Sequence, residues 1–266
     1  MRTFNRVLLC LSLAGGSLFG GTIALTGHDD DFHQSAGAVA QAKAMFSLAR
    51  NGSGLKVLTF DSGSELTSLM TLLGIAFTNV NPNTAASVTD ALFDPTVYSA
   101  FAVASDTSCG GCDNTAAGEA NIAAHVTAIG AFLNAGGGIV GFAGADSANY
   151  YAFVPQVASS VSGAPLTGYS SVCCGIPAVN GDFTHNLFWN PGTHGESAFF
   201  QVAEVNSTGN GTVPAPAAST IVCIACTVSG GIIISSAPEP ASYALLAGGL
   251  GLLALVRKLR AADPPR

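Results

Sequence analysis

Four short apolar runs between residues 56 and 142 restrict the fold more than any other feature of the chain. They are Lys56–Phe60 and residues 75–80, 98–104 and 139–142, and none shows the polar alternation of a strand with one wet face. A strand that is apolar on both sides must be covered on both sides, which is the condition of a parallel sheet lying between helices. The intervening segments supply the helices. Residues 64–73 place Leu66, Leu69, Met70 and Leu73 at the spacing of one helical face, with Gly74 as the stop. Residues 88–93 read as a short helix and residues 119–133 as the longest, ended by the Gly-rich stretch 134–138. Strands and helices in this alternation imply right-handed crossovers, so the expected class is α/β, a mostly parallel sheet with helices on both faces.

Beyond residue 150 the pattern weakens. Residues 199–205 and 219–227 read as strands that extend the sheet antiparallel at its edge, and residues 212–218 form a Pro-containing loop. Residues 164–181 are rich in Pro, Gly, Ser and Cys, and residues 229–237 form a linker.

The charges are distributed very unevenly. Of nine Lys and Arg residues, Arg2 and Arg6 precede the first apolar run, while Arg257, Lys258, Arg260 and Arg266 follow the last. Only Lys43, Arg50 and Lys56 remain for the body, which holds fourteen of the sixteen acids. A body of this charge repels phosphate backbones and excludes nucleic acid as a partner.

The amino end has the layout of a secretory signal peptide, with Arg2 and Arg6 ahead of an apolar stretch, residues 7–19, and small residues after it. Thr22 and Ala24 suit the positions before a cut, so residues 1–24 are expected to be removed and residues 25–55 to form a helical lead-in. Cys10 leaves with the signal peptide. At the other end, Pro238-Glu239-Pro240 precedes a nearly uncharged run, residues 241–256, and then Arg257, Lys258 and Arg260. Sixteen residues of helix span roughly 24 Å, a little short of a ~30 Å hydrocarbon core, so the run is a marginal membrane helix that relies on snorkelling of its basic flank. The basic cluster keeps its own side cytoplasmic and leaves the Pro-Glu-Pro outside.

This order of elements resembles the PEP-CTERM sorting signal of exported Gram-negative bacterial proteins. The resemblance, over residues 238–266, implies passage through the general secretion machinery and a transient stay in the inner membrane. It also implies processing by an exosortase-type membrane protease and release to the cell surface or extracellular matrix, where exopolysaccharide is the partner to consider. The main domain then runs from residue 56 to residue 228.

Six cysteines remain after export, in three close pairs: Cys109 and Cys112, Cys173 and Cys174, Cys223 and Cys226. An even count in an exported protein favours disulfides, with connectivity open and a four-thiolate zinc site as the alternative. The run His28-Asp29-Asp30-Asp31-Phe32-His33 reads as the solvated first turn of a helix, its acids facing the positive end of the dipole, with a metal-binding cluster as the sharper alternative.

In an open parallel sheet a ligand binds beyond the carboxyl ends of the strands. There the sequence gathers residues 61–65, 105–114 and 143–147. Asp61 and Asp106 each follow a strand directly, so they are placed for acid/base work, for holding a cation, or for capping the next helix. His125 reads as a helix-surface or packed residue. His185, His194 and Glu196 fall near Trp189 on a loop-rich segment, where a metal or sugar site competes with ordinary loop structure.

The run Gly136-Gly137-Gly138-Ile139-Val140-Gly141-Phe142-Ala143-Gly144-Ala145-Asp146-Ser147 resembles the fourth-strand motif of the ThuA-like family, a branch of the class I glutamine amidotransferase-like folds. Asp182-Phe183-Thr184-His185-Asn186-Leu187-Phe188 is similar to a later His-containing turn of that family. The resemblance covers residues 56–205 and implies a flavodoxin-like sheet. Amidotransferases carry a nucleophilic Cys in the turn after this strand, and ThuA-like proteins commonly show His there, but position 143 is Ala. The resemblance therefore implies that amide hydrolysis by that route is absent.

The expectation is an exported surface or matrix protein that is non-catalytic and needs neither cofactor nor metal. The rival expectation is an extracellular carbohydrate-binding or carbohydrate-processing protein that uses Asp61, Glu65, Asp106 and His185. A calcium-stabilised adhesion domain, suggested only by the excess of acid, is a third.

Overall fold

The computed structural model describes residues 20–107, 113–142, 151–159, 161, 194–213 and 220–228. All belong to the first of two units, Met1–Ser229; the second, Gly230–Arg266, with the Pro-Glu-Pro motif and the run 241–256, lies outside the described residues. Among the described residues no helix is long and apolar enough to cross a membrane.

Among the described residues ten strands form in chain order: β1 (Gly21–Thr26), β2 (Lys56–Phe60), β3 (Phe77–Val80), β4 (Tyr98–Val103), β5 (Gly138–Phe142), β6 (Val157–Ser159), β7 (Phe200–Gln201), β8 (Glu204–Val205), β9 (Thr212–Val213) and β10 (Thr220–Val228). The main sheet has the order β3-β2-β4-β5-β1-β10-β6, with β7 also on β10, and β8 pairs with β9 alone. From β3 to β1 every pairing is parallel. β10 runs antiparallel to β1 on one side and to β6 and β7 on the other. The fold is thus α/β with a mostly parallel sheet, and the late strands are antiparallel as expected, although β10 lies inside the sheet.

The largest departure from the sequence reading is β1. It sits in the middle of the sheet, and Ile23, Ala24 and Leu25 are fully buried. A cut after Ala24 would leave only Leu25 and Thr26 of this strand. Gly21 is required by a close approach, since a Cβ there would lie 1.8 Å from the Gly137 carbonyl oxygen. The expected helical lead-in is part of the domain too: α1 (Ala36–Arg50) buries Ala38, Ala42, Met45, Phe46 and Ala49.

Alternation along the strands builds two cores. Ile23 and Leu25 of β1, Leu58 and Phe60 of β2, and Phe101 and Val103 of β4 join one cluster, with Phe132, Tyr151 and Phe153. The opposite parity, Ala24, Val57, Ala100 and Ala102, packs with α1 and α2 (Glu65–Leu72). The alanines let those helices approach closely, while the aromatic side relies on bulk. Each large side chain removed from water there contributes roughly 1.5–3 kcal/mol.

Two helical expectations change in detail. The long helix is two, α3 (Ala116–Ala123) and α4 (Val126–Asn134), broken at Ala124 and His125. The break falls where the His125 ring turns to Asp90, with Nδ1 2.6 Å from its carboxylate. Residues 85–92 form two single 3₁₀ turns, Ala85–Ser87 and Asp90–Leu92, in place of one short helix.

Cys223 and Cys226 are bonded to each other, both fully buried. They bracket Ala225, whose φ of 53° marks an extra residue in β10 opposite the Gly21/Ile23 step of β1. This pairing removes two of the ligands that a four-thiolate zinc site would need. Cys109, Cys112, Cys173 and Cys174 lie outside the described residues.

Candidate functional site at the carboxyl end of the sheet

Because β1, β2, β4 and β5 are parallel, the segments that leave them emerge on one side. The turn after β1 carries His28, Asp29, Asp30 and Asp31. These do not form a solvated helix start: all four are at most 1 % exposed, the first turn of α1 has no acid, and its N-cap is Ser35, whose Oγ accepts from the Ala38 N–H at 3.2 Å. A sequence signal for this existed. Apolar residues followed by Asp occur after β2 as well, where Asp61 is 1 % exposed.

The acids are held mainly by backbone. Asp61 Oδ1 accepts from the Gly63 N–H at 2.8 Å and Oδ2 from the Thr67 N–H at 2.9 Å, so Asp61 caps α2, one of the roles its sequence position allowed. Asp113 Oδ2 accepts from the Glu65 N–H at 2.8 Å, which fills another open donor of the same helix start. Asp31 Oδ2 accepts from the Ser105 N–H at 2.8 Å and ties the turn after β1 to the end of β4. Asn114 joins two strands: its Nδ2 donates to Phe60 O at 2.9 Å and to Ala104 O at 3.3 Å, and its Oδ1 accepts from the Ser62 N–H at 3.1 Å. Ser62 Oγ donates to the Asp113 carbonyl.

A second polar group surrounds His28. Its Nε2 lies 3.2 Å from Glu204 Oε2, both side chains being nearly inaccessible. Glu204 Oε1 accepts from Thr220 Oγ1 at 2.8 Å, and Gln41 Nε2 donates to the hydroxyls of Thr26 and Thr220 at 3.0 Å each. Burial alone would push the His28 imidazole down, but the hydrogen bond to Glu204 and the charges of Asp30, Glu204 and Asp29 outweigh it and raise its pKa. Asp29 also meets His33, whose Nε2 is 3.4 Å away.

The acids shift the same way. Burial first, then the charges of Asp29 and Asp113, hold the Asp31 carboxyl well above the usual range against the opposing bond from Ser105. Glu119, on α3, is raised by burial and by Asp106; the nearby Asn114 amide opposes this, but its well-formed bonds go to Phe60 and Ala104. Asp113 is pushed up to about 7 by partial burial and by a hydrogen bond with the Asp61 carboxyl. The Tyr151 hydroxyl donates to Thr26 O at 2.6 Å, and burial together with Glu119, Asp106 and Asp31 holds its proton on. No Lys or Arg occurs between Lys56 and Arg257, so protons and imidazoles do the neutralising.

Asp61 and Asp106 each have another carboxyl as a charge neighbour: Asp113 beside Asp61, and Glu119 beside Asp106. Glu65 contributes its backbone, with the N–H to Asp113 and the carbonyl to Gln34 Nε2 at 3.1 Å. His194 is buried, its Nδ1 2.8 Å from the Val154 carbonyl, and burial lowers its pKa, the mark of a packed neutral imidazole. His185, Trp189 and residues 143–147, with Ala143, lie outside the described residues. Among the described residues, no three His, Cys, Asp or Glu side chains are placed to hold a metal ion. Comparison with known families, characterised proteins and solved structures finds no match for the chain.

Proposed function

We propose that this is an exported bacterial protein, sorted to the cell surface or extracellular matrix through its C-terminal tail, whose α/β body serves there as a non-catalytic module. The observation that carries the non-catalytic part is the use made of the acids beyond β1 and β2. Asp31, Asp61 and Asp113 each spend carboxylate oxygens on backbone N–H groups that hold the loops together. The destination rests on the order Pro238-Glu239-Pro240, apolar run, Arg257-Lys258-Leu259-Arg260. The sheet order supports a flavodoxin-like reading, since β3-β2-β4-β5 follows the 2-1-3-4 order of that class, with β1 in the fifth place.

For the amino end, the burial of β1 supports a processing point earlier than Ala24. An export segment must be cut at or before Gly21 for the central strand to survive. Mass spectrometry of the protein recovered from the cell surface tests both ends. The expected product starts no later than Gly21 and ends near Pro238-Glu239-Pro240; an intact Arg266 in the mature product would sink the sorting claim.

One observation favours the carbohydrate-processing reading instead. Asp113, half-buried beside Asp61 at the carboxyl end of the sheet, titrates near neutrality, as a general acid must. Incubation of the purified protein with exopolysaccharide from its own producer decides between the two. Release of reducing ends that Asp113→Asn abolishes would establish catalysis, and binding without turnover would retain the module.

A further inference from the structure

We propose that Asp61 and Asp113 share one proton and thereby form a pH-sensitive clasp between the first turn of α2 and the segment that enters α3.

The geometry brings the two carboxylates together. They accept from the N–H groups of Gly63, Glu65 and Thr67, which follow one another around a single helix start. That turn is tight on the side of Asp113: a Cβ on Gly63 would lie 1.9 Å from Asp113 Oδ1. Ser62 binds the same segment, through its N–H to Asn114 and its hydroxyl to the Asp113 carbonyl. The contact is therefore a built junction between two elements.

The charges around it have one sign. Asp61 comes from the end of β2, Glu65 from α2, and Asp31 from the turn after β1; each raises the cost of ionising Asp113, or has its own ionisation opposed by it. Of the three basic side chains in the body, Lys43 and Lys56 are exposed, and Arg50 is bonded to Ser99 and Leu55 O. Partial positive charge at the helix start favours one carboxylate, and a second can remain only by keeping a proton and donating it to the first. With Asp113 titrating near 7, the shared proton is present in mildly acidic surroundings and lost in alkaline ones. The two anions then repel and the junction loosens.

Hydrogen exchange on the purified chain at about pH 5.5 and about pH 8.5, corrected for intrinsic rates, tests this. The Gly63, Glu65 and Thr67 amides should lose roughly tenfold or more of their protection at the higher pH, because a contact that requires a proton weakens about tenfold per pH unit above its titration. Amides in the middle of β4 report the global stability and serve as its reference in wild type and variant. Asp113→Asn, whose amide donates to Asp61 without titrating, should hold the acid-state protection at both pH values. Equal protection of the wild type at both pH values, or equal loss in the variant, overturns the clasp. Should the variant fail to fold, carboxyl-carbon NMR titration of the wild type decides: an Asp113 midpoint in the ordinary carboxylate range overturns it, and one near neutrality supports it.

Discussion

The two ends of the parallel sheet solve the same problem in opposite ways. At the amino end one cation is met by neutral acceptors: Arg50 Nε lies 3.3 Å from Ser99 Oγ and its Nη2 donates to Leu55 O at 3.1 Å, while Lys56 is exposed. At the carboxyl end Asp29, Asp30, Asp31, Asp61, Asp106, Glu119 and Glu204 are all buried, with His28 as their one buried imidazole partner among the described residues. Charge at the first end is solvated or bonded locally. At the second it is neutralised by retained protons, and His28, Asp31, Asp113, Glu119 and Tyr151 all shift upward. A parallel sheet concentrates loops and helix starts at one end, and a chain with so few cations leaves protons as the available counter-charge there.

Breaking the carboxyl end should have the largest effect. His28→Ala removes the imidazole beside the buried Glu204 carboxyl and leaves its bond from Thr220, and a loss of about 3–5 kcal/mol in denaturant unfolding is expected. A loss below about 1 kcal/mol would show that Glu204 is satisfied without the imidazole. Asp61→Ala removes the acceptor of two N–H groups at the start of α2 and should cost about 1–2 kcal/mol, read by the same measurement. At the amino end, Arg50→Met should cost only about 1 kcal/mol, with no pH dependence between mild acid and mild alkali.

The pH response sharpens the contrast. An acid whose folded pKa is raised binds more protons folded than unfolded, so stability falls as pH climbs from its ordinary value, 3.8 for Asp113, to its raised one, about 7. A histidine whose pKa is raised contributes stability below its ordinary 6.5 and loses it as pH passes the raised value. Both act in one direction, and buried His194, whose lowered pKa acts the other way, opposes them only below about 6.5, so thermal melts should decline most clearly above that pH. Asp31→Asn keeps the acceptor for the Ser105 N–H and removes a titrating carboxyl. Its difference from wild type should be smallest in acid and should turn increasingly stabilising as pH rises; a constant offset across pH would place the titration elsewhere.

How far the molecule was legible depended on whether a feature is local. β2, β4 and β5 were found because burial on both faces leaves an unbroken apolar run, and α2 because Leu66, Leu69 and Met70 fall on one buried face; β3 is a half-exposed edge strand, legible only from the apolar residues at its start. β1 was missed because its apolar residues continue the hydrophobic start of the chain, where composition cannot separate an export segment from a strand. Asp29, Asp30 and Asp31 were read as solvated because three adjacent acids are costly to bury. Their burial depends on β1 lying between β5 and β10, partners more than a hundred residues away in sequence. The continuous helix expected over 119–133 failed for a similar reason: the apolar spacing runs through His125, and the break coincides with its contact to Asp90.

The sequence by itself determined the fold class and the charge economy of this protein, since strand–helix alternation and the absence of Lys and Arg between Lys56 and Arg257 are properties of composition and order. Tertiary structure alone decided which acids are buried and which pair shares a proton. Desolvation and the distance between carboxylates set those outcomes, and both come into being only when separated segments meet at the end of the sheet.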